Sequence, residues 1–199
     1  MTRPRLYLAS ASPRRSQLLL QIDVPHEVRP VAIDESPRSG EAAAEYVLRL
    51  AEEKARSLWA SLPEAGRLPV LAADTTVALE GEILGKPAHL DECRAMLSRL
   101  SGRTHEVHTA VAVLHEGGVT ARVNTSEVSF RRVSRHEMDW YWNTGEPADK
   151  AGGYAVQGKA AIFIRHIAGS YSGVMGLPLF ETWELLEPVL GLTTRSAPP

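Results

Sequence analysis

The feature that most restricts the fold is a long helical stripe set between short, uniformly apolar runs. Between Glu41 and Leu62, the residues Val47, Leu50, Ala51, Ala55, Leu58 and Leu62 fall on one stripe at 3.6-residue spacing, the mark of a long amphipathic helix. Leu6–Ala9 precedes it and Pro69–Ala73 follows it, and both read as short buried strands. Ser12 then Pro13 supplies an N-cap and first-turn pair for a helix that turns Leu18, Leu19 and Ile22 inward and stops before Pro25. Val28–Gly40, rich in proline, serine and acids, reads as a loop.

Further on, Glu80-Gly81 is a tight turn between Val77–Leu79 and Ile83–Leu84, and Gly117-Gly118 separates a second hairpin, Val107–Leu114 with Val119–Phe130. Helices are expected over Asp91–Leu100, with Cys93, Met96, Leu97 and Leu100 inward, and over Ser134–Asn143. A strand is expected over Ala160–Ile167, and a last helix over Gly176–Leu190, interrupted early by Pro178. Strands and helices interleave, so the expected class is α/β or mixed α+β. There is no internal repeat, and no linker is long enough to separate a second domain. One domain over residues 1–191 with a frayed tail, 192–199, is expected.

Composition excludes several function classes. A chain of 199 residues buries roughly 70% of its unfolded surface and needs no covalent staples. A formal net charge of −2 gives no bulk attraction to nucleic acid or to anionic membranes, so neither is expected as a partner. The single Cys93 rules out a disulfide framework and any multi-cysteine zinc cluster. No apolar run approaches a membrane span. The apolar stretch after the early positive charges, Leu6–Ala9, is too short for a signal-peptide core, so a cytoplasmic location is expected.

Chemistry can be placed at three points. Ser10, Ser12, Arg14 and Arg15 stand where a strand meets a helix N-terminus, whose unpaired N–H groups and positive dipole end suit a phosphate; on the local string alone, a well-capped helix with solvated arginines is the commoner outcome. Lys54 lies inside the apolar stripe between Leu50 and Leu58, so it must snorkel outward or meet a negative partner. Asp74 ends the apolar run at 69–73, where open α/β sheets place ligands, or else it caps a turn. Lys86, on a loop between Gly85 and Pro87, can return to the same strand end, and Asp34 and Glu35 are spare carboxylates for a divalent ion. The stretch 149–158 is a flexible polar turn whose one amide, Gln157, can both donate and accept and so can read the edge of a base.

Two features are set aside. GYAVQGK (153–159) falls one residue short of a phosphate-binding P-loop, because Ala160 stands where Ser or Thr is needed. His105 and His108, three apart on a strand, point to opposite faces and make no zinc site.

Taken in order, LASASPRR (8–15), AIDES (32–36), AEEKA (51–55), AADTTV (72–77), GKP (85–87), LSGRTHEV (100–107), DKAGGYAVQG (149–158) and GSYSGVMGLPL (169–179) resemble the Maf family of nucleoside triphosphate pyrophosphatases, from Leu6 to about Leu186. The resemblance implies an α/β fold with a mixed sheet, flanking helices and two lobes around a central cleft, distantly like inosine triphosphate pyrophosphatases. It implies hydrolysis between the α- and β-phosphates with a divalent cation, Mg²⁺ or Mn²⁺, and by family habit a homodimer. It makes Asp74 the residue that activates water, directly or as a metal ligand. Ser10, Arg15, Lys54 and Lys86 become phosphate-binding residues, and Glu35 joins Asp74 at the metal.

The family's specificity positions fall on Arg14, Thr75 and Gln157, the set of the dTTP/UTP branch, with modified uridine triphosphates in the same class. The sister branch, specific for 7-methyl-GTP, carries Trp, Gln and Glu there, and an amide suits a neutral pyrimidine edge better than a carboxylate would. Small departures are Gly153 and Ala155 for the usual Ala and Gly, and Gly173 where Asn or Ala is common. Two alternatives stand beside this reading: the 7-methyl-GTP enzyme, and a non-enzymatic nucleotide-binding regulator of septation.

Overall fold

In the computed structural model, which describes residues 5–192, the chain builds one seven-stranded sheet. β1 (Leu6–Leu8) lies between β2 (His26–Val28) and β3 (Val70–Leu79), parallel to both. The other pairings are antiparallel: β3 with β4 (Glu82–Leu84) and β5 (Thr104–His115), β5 with β6 (Gly118–Phe130), and β6 with β7 (Ile164–Ala168). The sheet is therefore mixed, and its order is β2-β1-β3-β5-β6-β7 with β4 joined to β3. The first hairpin is set by its turn: Glu80 and Gly81 both have positive φ, 53° and 82°, the geometry that matches strand twist in a two-residue connection.

Helices cover both faces, which explains why β3 begins uniformly apolar. Val70 and Ala72 pack under α2 (Ala43–Ser61) with Val47, Ala51, Ala55 and Leu58. Leu71 and Ala73 point the other way, toward α1 (Pro13–Gln21) and α6 (Leu179–Leu190), with Leu18, Leu19, Leu185 and Leu186. A third cluster joins α3 (Leu90–Leu100) and α4 (Arg135–Trp142) to Val77, Leu79, Val107 and Phe130. No helix among the described residues is long and apolar enough to cross a membrane.

Four local expectations change. β3 does not end at Ala73 but runs to Leu79, so Asp74 lies mid-strand. β2 is a strand where a loop begins, and three residues carry too little pattern to show alternation. Only the second half of the 160–167 segment is extended: Lys159–Phe163 is a 3₁₀ turn and β7 follows it. The last helix, α6, begins at Leu179 rather than Gly176, with Pro178 at its N-cap, and an unexpected short helix, α5 (Tyr171–Met175), precedes it and is closed by Gly176 at a left-handed φ of 118°. The tail beyond Leu192 lies outside the described residues.

His105 is buried in an aromatic nest, edge-on to Phe130 and Tyr154, with Nε2 2.8 Å from the Tyr154 hydroxyl. Burial drags its pKa from near 6.5 to about 4. Below pH 6.5 the unfolded chain takes up a proton here that the folded protein refuses. Stability is therefore full above pH 6.5 and falls toward pH 4, by about 3 kcal/mol for this group. Urea titrations at several pH values should show His105→Phe losing less over that window than the parent protein; parallel slopes would assign the loss to other groups.

Candidate active site

The site is built on a gap in the sheet. β1 pairs with β3 only as far as Leu71, and β4 joins that same edge only from Val77, while β5 occupies the other edge from Val70 to Ala78. Residues 72–76 of β3 thus face an open edge between the end of β1 and the end of β4. A cavity of about 320 Å³ lies there, and Ser10, Arg14, Arg15, Glu35, Lys54, Asp74, Thr75, Lys86 and Gln157 all line it. Strand alternation sends Asp74 toward α2 and Thr75 toward the opposite face, so the cavity wraps around the strand edge.

On the α2 side, Lys54 does not snorkel. It is buried, with Nζ 2.6 Å from Oδ1 of Asp74 and 2.6 Å from Oε1 of Glu35. Nζ of Lys86 lies 3.9 Å from the other oxygen of Glu35. Partial burial pushes the Glu35 pKa up, but Lys54, Lys86 and Arg15 together outweigh it and hold the group below its ordinary value. Tyr46 donates from its hydroxyl to the Glu35 carbonyl at 2.8 Å, pinning the acidic loop to α2. Burial, with the charges of Asp74 and Glu35, pushes its pKa up to about 12. Asp34 is not on the cavity wall; its side chain accepts from the Ser36 N–H at 2.9 Å and is exposed.

On the other side, Arg15 is spread over three acceptors: Nε donates to the Gly176 carbonyl (2.8 Å), Nη1 to Ser10 Oγ (3.1 Å) and Nη2 to Thr75 Oγ1 (3.2 Å). Burial lowers its pKa and Asp74 opposes the shift, and a guanidinium remains charged under both. Ser12 occupies the N-cap position of α1 but makes no side-chain cap; its N–H donates to Ser10 Oγ instead. Behind Thr75, the buried Thr109 places its hydroxyl 3.0 Å from Thr75 Oγ1 and 2.8 Å from the Gly173 carbonyl.

The third wall is the 149–158 segment, which carries Gln157 at the rim. The Gly152 N–H donates to the Gly85 carbonyl at 2.9 Å, with φ at 66°. A Cβ there would come within 2.9 Å of Val77 Cγ2, so only glycine lets the backbone lie this close to β3. The Ala155 N–H donates to the Tyr141 hydroxyl (3.1 Å), which donates to Glu146 (2.6 Å). Tyr46, Tyr141, Thr109 and Tyr154 are thus supporting residues that sequence reading misses. A buried tyrosine or threonine in an apolar context reads as core, and only the partner of its hydroxyl reveals more.

Arg14, Arg15, Lys54, Lys86 and Lys150 face Glu35, Asp74 and Asp149 around the cavity, which is therefore net positive in a chain of net charge −2. That suits a polyanion. Among the described residues, no group of three or more His, Cys, Asp or Glu side chains is placed to hold a metal ion. The hard oxygens of Asp74 and Glu35, bridged by Lys54, are the number and kind of donor that Mg²⁺ takes when substrate phosphates complete its shell.

A family model described as Maf-like protein matches residues 5–189. The dTTP/UTP pyrophosphatase of Bordetella avium is 53% identical over 189 residues, covering 92% of this chain and 94% of that one. The dTTP/UTP pyrophosphatase of Methylobacillus flagellatus is 54% identical over 182 residues, covering 92% and 91%. Among solved structures, the Ham1 protein of Staphylococcus aureus aligns with a TM-score of 0.41 at 15% identity over 63% of this chain and 71% of that one, a likeness too slight to add to the topology above.

Proposed function

Because the chain belongs to the family of Maf-like proteins, we propose that it is a nucleoside triphosphate pyrophosphatase that converts dTTP and UTP to the monophosphate and pyrophosphate. The observation that carries the reading is the one cavity into which a buried carboxylate, Asp74, and five cationic side chains converge from five separate stretches of chain. Phosphoryl transfer asks a protein mainly for positioning and neutralised charge, and this cavity offers both.

Asp74 is the group that takes the proton from an attacking water. Lys54 holds one of its oxygens, which fixes the carboxylate's orientation. Arg14, Arg15 and Lys86 face the charge that gathers on the α-phosphate and the leaving pyrophosphate, and Ser10, held by Arg15, adds a hydroxyl. Arg14, Thr75 and Gln157 receive the base. A divalent cation, Mg²⁺ or Mn²⁺, fits Asp74 and Glu35, and when bound it neutralises phosphate charge and lowers the pKa of water.

The test is pyrophosphate release from dTTP, UTP, CTP, GTP, 7-methyl-GTP and ATP, with Mg²⁺, with Mn²⁺ and with chelator. Release confined to dTTP and UTP and abolished by chelator is the expected result. Release from 7-methyl-GTP alone would keep the chemistry and overturn the substrate. No release from any of them would leave a nucleotide-binding protein.

A further inference from the structure

The gap beside β3 exposes main-chain groups as well as side chains, and the strand pairings fix which ones. In an extended strand each residue turns its N–H and its C=O to the same edge, and successive residues alternate edges. At one end of the gap, the Ala9 N–H donates to the Leu71 carbonyl at 2.8 Å, so Leu71 faces β1. At the other end, Leu79 and Glu82 flank the two-residue turn at Glu80-Gly81, so Leu79 faces β4. Odd-numbered residues of β3 therefore turn their main chain to this edge. Ala73 and Thr75 are the two that fall between the last pairing with β1 and the first with β4.

The register of β5 gives the same answer from the far side. His115 and Gly118 flank the turn that joins β5 to β6, so the odd-numbered residues of β5, Thr109 among them, pair their main chain with β6. Thr75 and Thr109 then stand opposite each other without exchanging main-chain hydrogen bonds. That arrangement brings side chains closest, and their Oγ1 atoms lie 3.0 Å apart. Ala73 is fully buried, whereas Thr75 lines the cavity and presents to it a donor beside an acceptor.

An ionised phosphate offers lone pairs alone, so it would satisfy the N–H and be repelled by the C=O next to it. A ring edge that carries a donor beside an acceptor meets both. Resting on the dTTP/UTP reading above, we infer that the main chain of Thr75 is a base-reading edge: its C=O accepts from N3–H of uracil or thymine, and its N–H donates to the neighbouring O4. Cytosine carries the reverse order, a lone pair on N3 and an amino group at position 4. A cytosine ring held in the same place by its sugar sets lone pair against lone pair and N–H against N–H. The 5-methyl group that separates thymine from uracil lies outside this edge, which treats the two alike. The Thr75 hydroxyl, in contact with Arg15 and Thr109, steadies the strand and leaves the reading to the main chain.

The test is calorimetric binding of UMP, CMP and N3-methyl-UMP to three proteins: the parent, Thr75→Val, and one whose Asp74–Thr75 amide is replaced by an ester through the hydroxy-acid analogue of threonine. The ester removes the N–H and keeps every side chain. No strand uses that N–H, so the midpoint of urea unfolding should not move. UMP affinity should fall about tenfold, the worth of one hydrogen bond, and CMP affinity should not, so the UMP-to-CMP ratio falls by the same factor. Thr75→Val keeps the main chain and should keep the ratio. N3-methyl-UMP should bind the parent about tenfold or more weakly than UMP does.

Equal binding of UMP and N3-methyl-UMP would overturn the proposal, as would a UMP-to-CMP ratio that the ester leaves unchanged. So would a ratio lost in Thr75→Val, which would give the reading to the hydroxyl. Binding is read without turnover, so a protein that shows the expected ratios and releases no pyrophosphate sinks the pyrophosphatase reading alone.

Discussion

Asp74→Asn is expected to slow pyrophosphate release from dTTP and UTP by about 10³-fold, with the midpoint of urea unfolding little changed. The amide has the shape of the carboxylate and its oxygen can still accept from Lys54 Nζ, while Lys54 keeps Glu35 at 2.6 Å, so the packing around the site survives. What the variant loses is the ability to take a proton from water, a contribution of about 10²–10⁴ in rate for a positioned base. The loss should fall on kcat, since the groups that face the triphosphate remain. Full turnover in Asp74→Asn would remove this residue from the chemistry, and a rise in KM with kcat unchanged would recast it as a binding group.

The second large effect is expected from Lys54→Met, in stability as well as turnover. Methionine fits the apolar stripe of α2 better than lysine does, and by helix pattern alone the change should stabilise. The structure predicts the reverse, because Lys54 Nζ lies 2.6 Å from both Asp74 and Glu35. Removing one member of a sealed ion pair costs about 3–5 kcal/mol. Glu35 is partly exposed and the cavity admits water, so about 2 kcal/mol is expected here. The deficit should be largest at neutral pH and shrink as pH falls into the carboxylate range, because Lys54 helps hold the Glu35 carboxyl below its ordinary value and that stabilisation is lost as Glu35 protonates. Adding Glu35→Gln should recover some of the loss at pH 7.5. Equal or higher stability of Lys54→Met at neutral pH would mean that Lys54 contributes nothing by charge.

Lys54 also shows how far the sequence can be read. Its place inside the stripe of Leu50 and Leu58 requires either an escape to water or a negative partner, because helix geometry fixes the direction in which it points. Which of the two applies depends on Glu35, nineteen positions earlier in an irregular loop, and on Asp74, twenty later in a strand. Asp74 itself is visible as a carboxylate emerging from an apolar run, but the pattern of that run cuts its strand short. Alternation reports which face a residue takes, and it does not report where a neighbouring strand ends.

The sequence by itself determined the period of each long element, the turn at Glu80-Gly81 and, to within one residue, the one that the structure places at Glu116-Gly117, the buried stripe of α2, and the string of motifs on which every candidate site residue lies. These are encoded within a few residues of one another, where 3.6- and 2-residue periodicity and the backbone freedom of glycine decide the outcome. Only the tertiary structure decided that β1 and β4 leave a gap on one edge of β3. It alone brought Arg15 to Thr75 across 60 residues and to the Gly176 carbonyl across 161, and set the Thr109 hydroxyl against both Thr75 and the Gly173 carbonyl. Such contacts are set by which strands pair and where they stop, a balance of burial and hydrogen bonding over the whole sheet that no local stretch of chain contains.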